Sequence, residues 1–160
     1  MRRSLFALAA LLALGAAAPP PSDSIAFSIS SWGKPLSAWR IDSAGAATRT
    51  YSEGSDFRDY RLITRRFDAG AKGFARIRSL LAVAERAARR GAPACGPRAT
   101  DQPYGKADWS IGGKPYAIVV DLGCQNQALG PIHQALADAD KQMEAWSAQG
   151  EIIEDREVKS

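Results

Sequence analysis

The placement of the only two cysteines, Cys95 and Cys124, constrains the fold of this chain more than any other feature. Cys95 follows the end of a predicted helix, and Cys124 follows the most apolar predicted strand, 114–122. Gly112-Gly113, between the two cysteines, is a two-residue hairpin signal. A bond between Cys95 and Cys124 would therefore join the end of a helix to the end of a strand and to the start of a second helix. In the chain-entropy model, closing such a loop stabilises the fold by roughly 3 to 4 kcal/mol.

A reactive or metal-binding thiol pair is the alternative to a disulfide. The spacing is not CxxC, and a zinc site needs three or four clustered ligands, whereas His133 is the only histidine in the chain. The composition therefore favours a disulfide, and we expect neither a metal nor a cofactor.

The first residues have the form of a secretory signal peptide. Arg2 and Arg3 precede an apolar run that ends in small residues before Pro19. We expect a cleaved signal peptide at 1–17, a flexible tether at 18–24, and a product in the periplasm or secreted, where a disulfide persists. No second long apolar run follows, so no integral membrane segment is expected after cleavage.

Alternating and helical patterns predict one α+β domain at 25–150. The predicted order is ββββ-α-ββ-α, an antiparallel meander with two helices packed on one face and one disulfide. The predicted strands are 25–30, 36–42, 46–51, 57–67, 106–111 and 114–122. The predicted helices are 71–90, whose apolar residues form one stripe, and a second that opens at Gly130 and ends by Gly150. The tail, 151–160, is either an edge strand or a loose acidic segment.

Catalytic chemistry finds little support in the sequence. His133 lies at the border of an apolar stripe, where an ordinary boundary histidine is expected more often than a general base. Catalysis by paired carboxylates stays open, because Asp101, Asp108 and Asp121 all fall in or near the cysteine-bounded segment. Spacing alone brings no two of them together.

Positive charge is concentrated in the middle of the chain. Between Arg58 and Arg98 there are eleven basic residues and three acidic ones, whereas from Asp138 onward there are seven acidic and three basic. One interpretation is an anion-binding face, because arginine makes bidentate contacts with carboxylate and phosphate. The other is a solvated face that the acidic C-terminal region balances in space. The candidate binding arginines are Arg61, Arg65, Arg66, Arg76, Arg86 and Arg90.

Two of the four tryptophans are candidates for an exposed binding surface. Trp39 and Trp146 sit on apolar stripes and are expected in the core. Trp32 lies beside a turn and Trp109 on a short strand, so these two are added to the candidate binding residues.

Three function hypotheses follow from these patterns. The first is a non-catalytic binding or inhibitory module of the bacterial envelope, whose partner is an anionic envelope component or a protein. The second is a small carboxylate-dependent hydrolase. The third is a structural accessory domain whose edge strand pairs with a partner. Nucleic acid is not expected as a partner, because the chain is predicted to be exported and its basic run lacks interleaved aromatic residues.

Overall fold

The computed structural model describes residues 22–159. The predicted signal peptide, 1–17, and residues 18–21 of the predicted tether lie outside the described residues. The domain combines a seven-stranded antiparallel sheet with three α-helices, which confirms the predicted fold class. The strands are β1 (Ser24–Ser31), β2 (Lys34–Asp42), β3 (Ala46–Glu53), β4 (Tyr60–Asp68), β5 (Tyr104–Ile111), β6 (Lys114–Asp121) and β7 (Glu151–Val158). The helices are α1 (Gly70–Leu80), α2 (Ala82–Arg90) and α3 (Gly130–Ser147).

The strand order across the sheet is β6-β5-β1-β2-β3-β4-β7. β1 is an interior strand that pairs with β2 on one side and with β5 on the other, so it joins the first meander to the later hairpin. Residue Phe27 faces Trp39 in one pair and Ala107 in the other. Opposite residues of an antiparallel pair share a face, so these side chains lie on the same side of the sheet. β6 and β7 form its two edges.

The hydrophobic core lies between that face and the helices. Ile25 and Trp39 of the sheet pack with Ile77 of α1 and with Leu136 and Met143 of α3, and all five are buried. The predicted core position of Trp39 is confirmed, and Trp146 is partly buried against the same cluster.

None of the helices within residues 22–159 is long and apolar enough to cross a membrane.

Cys95 and Cys124 form the predicted disulfide, with their Cα atoms 5.1 Å apart. The bond ties the segment after α2 to the chain that follows β6. The neighbouring backbone adds support, because the Ala99 amide donates to Gly123 at 2.8 Å and the Gln125 amide to Pro97 at 2.9 Å. The disulfide thus holds the segment after α2 against the end of β6, where α3 also packs.

The predicted start of the fourth strand was wrong. β4 begins at Tyr60 rather than at Phe57, which is 54% exposed in a loop. The buried ammonium group of Lys34 holds this loop, because it donates to the carbonyl of Asp56 at 3.0 Å and to that of Gly54. A tight local fold therefore overrides the strand-like composition of 57–59.

The predicted helix 71–90 is divided in two at Leu81. The backbone of Leu81 has φ −84° and ψ 5°, outside the regular helix, yet its amide still donates to Ile77 at 3.0 Å and its carbonyl accepts from Glu85 at 2.8 Å. The side chain of Leu81 is fully buried. The apolar stripe thus continues through the break, which explains why a single helix was predicted.

The tail, left open between two alternatives, forms edge strand β7 over 151–158.

Candidate binding face and cleft

Two strand arginines of β4 are neutralised by the C-terminal strand. The guanidinium group of Arg61 donates to the Asp155 carboxylate, with Nε to Oδ1 at 3.0 Å and a second contact from Nη2 to Oδ2. Arg66 donates to Glu151 at 2.7 Å. Antiparallel pairing of β4 with β7 places these charges side by side. For Arg61 and Arg66, the acidic C-terminal region therefore balances the basic strand in space.

Arg65 has a different structural contact. Its guanidinium group donates to the carbonyl of Gly150 at 2.9 Å and to the hydroxyl of Tyr51 at 3.2 Å. These bonds secure the turn between α3 and β7. Arg65 therefore fastens the C-terminal strand to the sheet, and its role is structural.

The only acidic residue of the helical segment 70–90, Glu85, is enclosed by two arginines. The Glu85 side chain accepts from Arg78 at 3.1 Å and from Arg89 at 2.6 Å, and the residue is 8% exposed. Burial by itself raises the pKa of Glu85, but the hydrogen bonds from Arg78 and Arg89 outweigh it and the pKa is lowered. Arg89 also stacks on the Tyr116 ring, 4.0 Å from its centroid, and donates to the Tyr116 hydroxyl at 2.9 Å. Arg89 thus links α2 to β6.

The remaining cations of α1 and α2 form what we call the basic helix face, Lys72, Arg76, Arg86 and Arg90. All four are exposed, and each pair is spaced by four residues, so its members lie on one side of their helix. None of them forms an ion pair with another residue in the range 22–159. Glu85 offers no compensation because it is already neutralised. Positive charge is therefore left uncompensated on this face.

The structure thus separates the predicted binding arginines into two groups. Arg76, Arg86 and Arg90 belong to the basic helix face, whereas Arg61, Arg65 and Arg66 are held in sheet contacts. Lys72 was missed as a candidate, although its spacing of four from Arg76 on an amphipathic helix was a usable signal.

The two candidate tryptophans have opposite environments. Trp32 is 66% exposed in the β1–β2 turn and lines a shallow cleft with Asp101 and Tyr104. Trp109 is only 2% exposed and faces Ile25 across the β1–β5 pair, so the expectation that it could be exposed was wrong. Its strand lies inside the sheet between β1 and β6, and its side chain points to the helix-covered face. Trp109 therefore contributes to the core rather than to a binding surface.

A second feature is a cleft of about 300 Å³ beside the disulfide, which we call the disulfide cleft. Residues 117–121 of β6 form one wall, and the end of α2, the disulfide and α3 form the others. Its polar groups include Arg98, whose guanidinium group pairs with Asp121 at 3.0 Å, and the half-buried His133 of α3. The boundary position predicted for His133 is consistent with this placement.

The structure does not join the carboxylates considered for catalysis. Asp121 lines the disulfide cleft and Asp101 lines the shallow cleft with Trp32, so the two lie in different places. Asp108 pairs with Lys106 at 3.1 Å on the sheet face opposite the helices. Cys95, Cys124 and Asp121 bring possible ligand atoms within 4.8 Å of one another, but both sulfurs are consumed by the disulfide and offer no thiolate.

A polar cluster under α3 was missed by sequence reasoning. Asp140 accepts from Ser37 Oγ at 2.6 Å, and burial raises the pKa of Asp140, an effect that the Ser37 bond and the nearby charge of Arg49 reduce but do not cancel. Arg49 is 7% exposed, stacks 4.9 Å from the centroid of the Tyr51 ring and lies 4.0 Å from Glu144. The signal was the alternation in β3, which puts Arg49 on the same face as the buried Ala47.

No family model, curated protein or solved structure matches this chain. The fold and these surfaces are therefore the features that bear on function. Together they define an α+β domain with one disulfide, a basic helix face, and an apolar cleft along one edge of the sheet.

Proposed function

We propose that the protein is an exported, non-catalytic binding or inhibitory module of the bacterial envelope, and that it recognises an anionic partner through the basic helix face. The observation that carries this proposal is that the cations of β4 and those of the basic helix face differ in their contacts. The three arginines of β4 have acidic or carbonyl partners, whereas Lys72, Arg76, Arg86 and Arg90 have no acidic partner within the described chain.

The chemistry of these four side chains fits an anionic partner. Three are arginines, whose planar guanidinium groups bind carboxylate or phosphate through two parallel hydrogen bonds. Exposed, uncompensated charges also steer association with an oppositely charged surface, and salt screens that effect. An interaction made by this face should therefore weaken steeply as ionic strength rises.

The envelope location is supported by the signal-peptide pattern of the first residues and by the disulfide. A bond between Cys95 and Cys124 persists in an oxidising compartment and is rare in a reducing one. Detection of the processed chain in a periplasmic or culture fraction, with a new N-terminus after Ala16 or Ala17, would test this part of the proposal.

The binding claim is tested with two variants of equal charge change. R86Q/R90Q removes two positive charges from the basic helix face, and R61Q/R66Q removes two from the paired arginines of β4. Retention on a heparin column measures affinity for a polyanion through the salt concentration at elution. We expect R86Q/R90Q to elute at clearly lower salt than the wild type, and R61Q/R66Q to elute close to it.

Two results would contradict the proposal. Equal shifts for both variants would mean that the column senses only net charge. Failure of the wild type to bind at low salt would mean that the face does not recognise anions. Circular dichroism of each variant confirms that its fold is intact before retention is compared.

A further inference from the structure

The free edge of β6 is unusually open to pairing. Among residues 22–159, β6 pairs with β5 alone, so alternate backbone amides and carbonyls on its other side have no strand partner in this part of the chain. Its central residues, Tyr116 to Val120, carry no charge, and Val119 is 81% exposed. Such an edge is a template for the addition of another strand.

The opposite edge of the same sheet shows the contrast. β7 has the sequence EIIEDREV, in which acidic and basic residues occupy most positions. Charges on an edge strand are a common protection against pairing with other chains. On β6, the residues that disfavour pairing lie only at the ends of the strand, and they are Lys114, Pro115 and Asp121. The sheet is thus protected at one edge and open along the middle of the other.

The disulfide cleft follows this open edge. Successive residues of a strand point to opposite faces of the sheet, yet 117–121 all line the cleft. We take the contact with residues of both orientations as evidence that the cleft reaches the free edge of β6. A segment laid against β6 would therefore direct a side chain into a space walled by Leu129, Ile132 and the disulfide.

The charges around this edge indicate the chemistry of the segment. α2 packs on β6, and Arg89 is bonded to Tyr116, so the helix that carries Arg86 and Arg90 lies beside this strand. Lys114 adds a further positive charge at the start of β6. At the other end, Asp121 is neutralised by Arg98. The surroundings of the open edge therefore favour an acidic segment.

We propose that β6 accepts an extended, acidic segment of a partner protein as an eighth strand, with one apolar side chain in the disulfide cleft and acidic residues near Arg86 and Arg90. Main-chain hydrogen bonds would supply affinity, and the cleft and the cations would supply selectivity. This inference rests on the proposed function and names the partner of the basic helix face.

A second copy of this chain fits the edge less well than an acidic segment. Pairing β6 with β6 of another copy would bring two sets of Arg86 and Arg90 towards each other, and like charges repel. A lipid surface or a polysaccharide would meet the cations but has no peptide backbone with which to extend the sheet.

The test uses synthetic peptides of alternating valine and threonine flanked by glutamates, in three versions with valine, leucine or phenylalanine at the centre. Fluorescence anisotropy measures their affinity, and hydrogen exchange measures the protection of β6 amides. We expect at least one peptide to bind and to protect β6. A version methylated on alternate backbone nitrogens should bind several-fold more weakly, because it loses the strand hydrogen bonds.

Matched protein variants locate the site. V119E adds a negative charge at an exposed position of β6, and I153E adds the same charge at a half-exposed position of β7. We expect V119E to lose affinity several-fold and I153E to retain it. Equal loss in both variants, or unchanged binding of the methylated peptide, would overturn strand addition.

Failure of this inference can be told apart from failure of the proposed function. If no peptide binds while R86Q/R90Q still loses heparin affinity, strand addition is wrong and the basic helix face stands. If a peptide protects β6 while heparin retention is unchanged in R86Q/R90Q, the anion-binding function is wrong. A wild-type dimer in sedimentation that V119E dissociates would mean that a second copy occupies the edge, against this proposal.

Discussion

Glu85 and Asp140 are two acids whose surroundings shift their pKa values in opposite directions. Glu85 is buried but held by two arginines, and its pKa is lowered. Asp140 is largely buried with one hydroxyl donor and a nearby guanidinium group, and burial leaves its pKa raised. The balance between burial, which raises the pKa of both acids, and the donors around each one decides the sign.

We expect the substitution E85Q to lower the free energy of unfolding at pH 7. Arg78 and Arg89 would lose a charged acceptor, which costs about 1 to 2 kcal/mol for hydrogen bonds of this kind. Because the folded pKa of Glu85 is lowered, its contribution is present above the unfolded value of 4.5 and is lost as pH falls through the folded pKa. Urea unfolding from pH 7 to pH 3 should therefore show the wild type and the variant converging in acid; a constant difference would contradict this.

The substitution D140N should have the opposite pH dependence. Because the folded pKa of Asp140 is raised, its stabilising contribution is present below the unfolded value of 3.8 and is lost as pH rises through the folded pKa. Relative to the wild type, D140N should therefore gain stability as pH rises from about 3 to 7. D138N, at an exposed position of the same helix, is the control. An unchanged difference between D140N and the wild type across this range would refute the raised pKa.

At the scale of elements, the disulfide is the simplest to test. Replacing both cysteines by alanine should lower the free energy of unfolding by roughly 3 kcal/mol, because the bond closes a loop across 29 residues of sequence separation. Urea denaturation of C95A/C124A measures the change. An independent check is thiol titration of the unreduced, unfolded wild type, in which two free thiols would contradict the bond.

Most of the elements could be predicted because their patterns are local. Period-two alternation found the strands of the first meander, and the Gly112-Gly113 signal found the β5–β6 hairpin. The break at Leu81 could not be seen in the sequence pattern, because Leu81 continues the apolar stripe across it. Trp109 was misplaced for a different reason, since the position of a strand inside a sheet depends on pairing distant in sequence. β5 lies beside β1, and that contact is not encoded near either strand.

For the whole molecule, the pairing of the C-terminal strand β7 with β4 decides which arginines meet an acidic residue. The chain is basic in the middle and acidic at its end, and β7 brings the acids onto β4. The sequence left two interpretations of the arginines open, and the cations of the two regions differ in their contacts. Acidic residues of β7 balance Arg61 and Arg66, whereas the four cations of the basic helix face have no acidic partner within residues 22–159. Which arginines would meet an acid could not be foreseen, because it depends on the β4–β7 register.

We propose that the arginines of β4 serve the fold, whereas Arg86 and Arg90 of α2 serve binding. The most direct test of this division is to measure thermal stability and heparin retention together for R61Q/R66Q and R86Q/R90Q. We expect R61Q/R66Q to melt at a lower temperature, by the modest amount typical of surface ion pairs, with retention near that of the wild type. R86Q/R90Q should melt like the wild type and elute at lower salt. Loss of retention in R61Q/R66Q with no loss in R86Q/R90Q would contradict this division.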